Sequence, residues 1–188
     1  ALAPVREWVI GRLGPQPGET VLELGAGTGE TGFETAALLG EDGRLLSTDF
    51  SPDMVEVARR RGSGLGLSNV DYRVIDAERI QLDSGSVDGV LCQSTYMLVA
   101  DPAAALAETR RVLRPGGRLA LSVWGVPERN PWASIGGGIL VERGHVPPPD
   151  PEAPGVFSWA SEERTNALLN DAGFRSIRTE EVAVGFAF

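Results

Sequence analysis

The sequence predicts an α/β fold: a doubly wound, mostly parallel sheet with helices on both faces. Two observations carry this. Short apolar runs alternate along the chain with segments of helical spacing, and that alternation implies parallel strands joined by right-handed crossovers. The first run, Thr20–Leu24, feeds directly into Gly25-Ala-Gly-Thr-Gly29 and then a helical segment, a strand–turn–helix entry common to such sheets.

The elements follow in order. Val5, Trp8, Val9 and Leu13 recur at helical spacing, and Gly14-Pro-Gln-Pro-Gly18 closes that helix. After the first strand, a helix is expected over residues 29–39, stopped by Gly40-Glu-Asp-Gly43. Arg44–Asp49 reads as the second strand. Ser51-Pro52-Asp53 then supplies a hydroxyl cap, a proline at the first helical position and an acid facing the helix dipole. Residues 70–75 and 87–92 read as the third and fourth strands, and Asp101-Pro102 starts the next helix with the same cap chemistry. Pro115-Gly116-Gly117 is read as a turn into a fifth strand over 118–124. Ser161 caps a last helix through Leu168 and Leu169 to Gly173, and residues 177–188 read as a sixth strand.

Residues 125–160 break the rhythm, with Gly136-Gly-Gly138 and Val146-Pro-Pro-Pro-Asp-Pro151. Loops of this length in a small domain usually carry function. This one follows a strand's carboxyl end, where open α/β sheets bind ligands. It is a candidate substrate-side lid, the alternative being a proline-stiffened surface excursion.

The chain has 188 residues, 42% hydrophobic and 23% charged, which fits one domain spanning 1–188 and excludes a disordered chain. No apolar run approaches the roughly 18 residues that cross a bilayer. The N-terminus is too charged for a secretory signal and lacks an initiator Met, so trimming at that end is expected. Net charge is −9, from 26 acidic against 17 basic residues, and this excess disfavours a nucleic acid partner. Every basic residue is Arg. The single Cys92 lies in an apolar Val-Leu-Cys run and is expected to be a small core residue. With no disulfide to form, a reducing, cytoplasmic setting is expected.

The glycine loop points to a ligand. Gly tolerates positive φ and close backbone approach, and the helix N-terminus offers free N–H groups. Asp49, at the end of the second strand, is an acid placed to accept ribose hydroxyls. Together they indicate a nucleoside cofactor, against a glycine turn that merely packs helix on strand. The spacing is G-x-G-x-G, not the dinucleotide G-x-G-x-x-G, and Glu23 precedes it. An acid there repels a pyrophosphate and suits an ammonium or sulfonium group.

At this point the chain resembles the class I S-adenosylmethionine-dependent methyltransferases, whose first motif reads E/D-x-G-x-G-x-G, as in Glu23–Gly29 here. Asp49-Phe50-Ser51-Pro52-Asp53-Met54 is similar to the family's ribose-binding acid and following helix. Asp76-Ala77 is similar to its adenine-binding dipeptide, Cys92-Gln93 stands where its fourth strand ends, and Leu113-Arg-Pro-Gly-Gly117 resembles the turn before its fifth strand. The resemblance spans residues 20–124 plus Asp171-Ala-Gly-Phe174, with the flavour of the small-molecule branch akin to ubiquinone and menaquinone biosynthesis methyltransferases. It implies a Rossmann-like sheet whose seventh strand is missing from this chain, and so an expected truncation at the C-terminal end as well.

The resemblance also implies roles. Gly25, Ala26 and Gly27 would present backbone to the cofactor, and Glu23 would orient the loop and attract the α-amino group. Asp49 would hold the ribose, Phe50 and Met54 would flank the adenine, Asp76 and the Ala77 N–H would meet its edge, and Gln93 would lie under the methionine moiety. The expected cofactor is S-adenosylmethionine, the expected partner a small, largely apolar methyl acceptor. No metal is expected, because Gln93-Ser-Thr-Tyr96 and Trp124-Gly-Val126 hold no carboxylate cluster. His145, the one histidine, is the candidate general base if the acceptor must lose a proton; a structural or exposed histidine is the alternative. Tyr96 either lines the acceptor pocket or packs in the core. An NAD-dependent oxidoreductase and a non-catalytic cofactor-binding module remain as alternatives.

Overall fold

The computed structural model describes residues 2–148, 150 and 153–185. Five strands, β1 (Thr20–Leu24), β2 (Arg44–Asp49), β3 (Val70–Val74), β4 (Val87–Gln93) and β5 (Leu113–Ser122), form one sheet in the order β3-β2-β1-β4-β5. Every pairing is parallel. Side chains alternate across it, as the period of a strand requires. On one face Val21, Leu45, Leu91 and Ala120 meet Val9 and Leu13 of α1 (Ala3–Leu13) and Ala36 and Leu39 of α2 (Glu30–Leu39). On the other, Leu22, Leu46 and Val90 meet Ala105 and Leu106 of α4 (Pro102–Val112) and Leu169 of α6 (Glu162–Asp171). The helix α3 (Pro52–Gly64) packs along β2 and β3.

The caps are those the sequence specifies. Asp101 accepts from the Ala104 N–H at 3.0 Å, and the hydroxyls of Ser51 and Ser161 accept from Met54 and Arg164. Among the described residues no helix is long and apolar enough to cross a membrane.

Three expectations need correction. β5 begins at Leu113, so Pro115-Gly116-Gly117 is a bulge within the strand: Val87 pairs with Leu113 but Gly89 with Arg118. Gly116 has φ +81° there, a conformation that glycine adopts without cost. The 125–160 stretch is not all loop, since it contains α5 (Pro131–Glu142). No sixth strand forms over 177–185, and 186–188 lie outside the described residues. Charges interrupt the apolar alternation, and side chains rather than a ladder hold the segment. Glu180 accepts from Trp8 Nε1 at 3.0 Å and pairs with Arg12, while Glu181 pairs with Arg129.

Candidate functional site

The sheet order reverses between β1 and β4, neighbours in space whose chains continue in opposite directions. Such a reversal opens a crevice at the carboxyl ends of the two strands. The loop after β1 and the turn after β4 form its walls.

The three glycines of the loop all have positive φ: +67° at Gly25, +55° at Gly27 and +94° at Gly29. Their surroundings differ. A Cβ on Gly25 would fall inside the Thr95 side chain, and one on Gly29 inside the Phe33 ring, whereas one on Gly27 would meet nothing within 4 Å. Two glycines therefore serve packing, and the third faces open space. The loop is pinned by hydrogen bonds: Ala26 N–H donates to the Thr48 carbonyl at 2.9 Å, and Gly27 N–H to Asp49 Oδ2 at 2.8 Å. The other Asp49 oxygen accepts from Ser51 N–H at 2.9 Å. One carboxylate thus fixes both the glycine loop and the entry to α3. With about four lone-pair sites it keeps capacity for further donors.

Glu23 ends up beneath the loop. Its carboxyl is buried, accepts from the Ser47 hydroxyl at 3.1 Å, and lies where a side chain on Gly32 would collide with it. Burial pushes its pKa up to about 7, opposed by the Ser47 hydroxyl and the Gly32 N–H, with Asp49 and Glu30 adding to the rise. The folded state therefore keeps a proton that the unfolded chain releases near 4.5. This contribution to stability is full below that value and is lost as pH rises through about 7. The gap corresponds to about 3 kcal/mol. Glu23→Gln should therefore gain on the wild type by about that much between pH 4.5 and pH 8.5 in urea unfolding; parallel pH profiles would contradict the burial of an ionisable carboxyl there.

Phe50 is 74% exposed and Met54 41% exposed, an apolar pair flanking the Asp49 turn. Asp76 is exposed just after β3, with Oδ1 accepting from Glu78 N–H at 2.9 Å, and Ala77 is buried. Gln93, at the end of β4, accepts from the Thr31 hydroxyl at 2.9 Å and so ties β4 to α2. Glu23, Gly25, Ala26, Gly27, Asp49, Phe50, Met54, Asp76, Ala77 and Gln93 all come to one end of the sheet. His145 stands apart, exposed beyond α5. Tyr96 is a core residue, not an acceptor contact: it is buried, stacks on Trp159 at 5.6 Å and shares its hydroxyl with Thr109 at 2.5 Å. Cys92 is buried as expected, its thiol pushed up to about 12 by burial and therefore inert.

Two residues in the crevice carried no sequence signal. Thr95 packs on Gly25, and Ser94 takes φ +58°, a left-handed conformation uncommon outside glycine. Ser94 also opens onto a groove of about 1240 Å³ that runs outside β5 rather than over the glycine loop, past Ser122, Trp124 and Trp132. Above it, α5 buries none of its side chains, and Ile135, Ile139 and Leu140 are exposed. Among the described residues no group of three or more His, Cys, Asp or Glu could hold a metal ion.

Residues 15–134 match the methyltransferase domain family. An uncharacterized 37.1 kDa protein in transposon TN4556 of Streptomyces fradiae is 41% identical over 127 residues; the match covers 68% of this chain and about a third (34%) of that protein's length. The demethylmenaquinone methyltransferase of Beutenbergia cavernae is 32% identical over 92% of this chain and 72% of its own. Among solved structures, a SAM dependent methyltransferase from Aquifex aeolicus superposes with a TM-score of 0.73 at 26% identity, covering 94% of this chain and 83% of that one. The chain belongs to the methyltransferase domain family, with the fold of the class I, S-adenosylmethionine-dependent enzymes.

Proposed function

We propose that the chain binds S-adenosylmethionine at the reversal between β1 and β4 and directs its methyl group to a small, largely apolar acceptor. The observation that carries this is the Asp49 carboxylate bonded to Gly27 N–H, beside a Gly27 Cα that faces open space. The backbone of Gly25, Ala26 and Gly27 lines the cofactor. Asp49 holds the ribose through its remaining lone pairs, and Phe50 and Met54 cover the faces of the adenine. Asp76 accepts from the adenine amino group, the Ala77 N–H meets a ring nitrogen, and Gln93 bounds the methionine end. Glu23 acts from below, positioning the loop through its buried carboxyl and the Ser47 hydroxyl.

When bound, the cofactor supplies a methyl group on a positively charged sulfur, an electrophile already activated. No metal is required for that. What the protein contributes is alignment and the exclusion of water, which together can be worth about 7–11 kcal/mol. The exposed apolar side chains of α5 suit a lid over the acceptor. His145, just beyond α5, serves as base for an acceptor that must lose a proton. The Beutenbergia relative favours an acceptor of the quinone class.

The test is release of S-adenosylhomocysteine with a panel of small acceptors, quinols among them, and with RNA and DNA. Turnover is expected with a small apolar acceptor only. Replacing residues 130–145 by a short glycine linker should abolish it while leaving cofactor affinity within about threefold, since α5 packs mainly against residues 127–129. Methylation of a nucleic acid, or turnover that survives the replacement, would contradict the acceptor assignment.

A further inference from the structure

We infer that Arg61 is a positioning residue for the cofactor, latching α3 onto the glycine loop so that the loop is held ready to bind; this rests on the cofactor site proposed above. Asp49 fixes one side of the loop, at Gly27 N–H. Arg61, in the third turn of α3, reaches the other side with a single nitrogen. Its Nη1 donates to the Thr28 carbonyl and to Glu30 Oε1, both at 2.7 Å. The Thr28 hydroxyl donates to the second Glu30 oxygen, also at 2.7 Å. Guanidinium, carboxylate and loop residue therefore close a ring of three hydrogen bonds where the loop enters α2.

A packing contact lies alongside. The Phe33 ring fills the space that a Cβ on Gly29 would need, and stands 3.4 Å from where a Cβ on Gly62 would sit. The Arg61 guanidinium lies 6.0 Å from the centre of the same ring. One glycine of the loop and one of α3 thus let a single ring join them. Met54 and Arg61 are seven residues apart, which puts them on one side of α3. The start of that helix is already tied to Asp49 through Ser51 N–H. The helix that carries Met54 is thereby held to the loop at its first and third turns. Arg61 and Glu30 are 42% and 50% exposed, so the pair adds little to global stability. Its effect is local: without the latch the loop is competent to bind for a smaller fraction of the time, and apparent affinity falls by that fraction.

The test sets Arg61→Met, which removes the donor and keeps an apolar stem near Phe33, against Arg44→Met. The latter breaks a similarly exposed pair, with Asp71, at the opposite end of β2. Calorimetry with S-adenosylhomocysteine should show binding about fivefold weaker in Arg61→Met and unchanged in Arg44→Met, with similar small shifts in urea unfolding for both. Arg61→Lys, which restores one donating nitrogen, should recover part of the loss. In the cofactor-free protein, hydrogen exchange at the Gly27 and Gly29 amides, bonded to Asp49 and to the Ala26 carbonyl, should quicken severalfold in Arg61→Met and not in Arg44→Met. Unchanged affinity or unchanged loop exchange in Arg61→Met, or an equal loss in Arg44→Met, would overturn the inference. A failure of S-adenosylhomocysteine to bind the wild type would instead overturn the cofactor assignment, and the exchange measurement would still judge the latch.

Discussion

Gly27→Val is expected to abolish S-adenosylmethionine binding in a protein that still folds, whereas Gly25→Val is expected to cripple folding itself. Both positions sit at positive φ, +55° and +67°, and a non-glycine residue there costs about 1–2 kcal/mol. Only that cost applies at Gly27, where an added side chain enters open space. At Gly25 it also drives into Thr95, and overpacking of this kind adds about 1–3 kcal/mol. The sum, roughly 2–5 kcal/mol, is a large part of a small domain's stability of about 5–15 kcal/mol. Urea unfolding and calorimetry with S-adenosylhomocysteine separate the two effects. Thr95→Gly in the Gly25→Val background should return the overpacking part and not the strain. Normal cofactor affinity in Gly27→Val would mean that the open face of the loop is not a binding surface.

Asp49→Ala has the next largest expected effect, a loss of ten- to hundredfold in cofactor affinity. A hydrogen bond to a charged group is worth about 1.5–3 kcal/mol, and each 1.4 kcal/mol is tenfold. Losing the ribose contact accounts for the lower figure. The upper one includes the loop, because the same substitution leaves Gly27 N–H and Ser51 N–H without their acceptor. Asp49→Asn keeps one acceptor oxygen and should fall between. Affinity unchanged in a folded Asp49→Ala protein would contradict the role.

What was legible in the sequence was local. Apolar runs located β1, β2 and β4 because strands buried on both faces have no polar side to confuse the pattern. Ser51, Asp101 and Ser161 marked helix starts because a cap is chemistry within a few residues. The glycine loop and Asp49 were legible because spacing alone implies their proximity. Contacts between distant segments were not. Nothing near Thr95 announces that it packs on Gly25, and nothing near Glu23 announces that its carboxyl turns down toward Ser47 rather than up into the crevice. Three consecutive glycines argue against a helix over 131–142, each costing about 1 kcal/mol against alanine, yet α5 forms. The 177–185 segment fails the other way: its alternation suggests a strand, but Arg178, Glu180 and Glu181 turn it toward ion pairs and solvent.

The central claim is that the glycine loop and Asp49 are built for a sulfonium nucleoside and not for a dinucleotide. The most direct measurement is titration calorimetry of the wild-type chain with S-adenosylmethionine, S-adenosylhomocysteine and NAD in turn. Saturable one-to-one binding of the first two, with no heat from NAD, is the predicted result. Binding of NAD at the same site, or no binding of either sulfur nucleoside to the folded protein, would contradict the account.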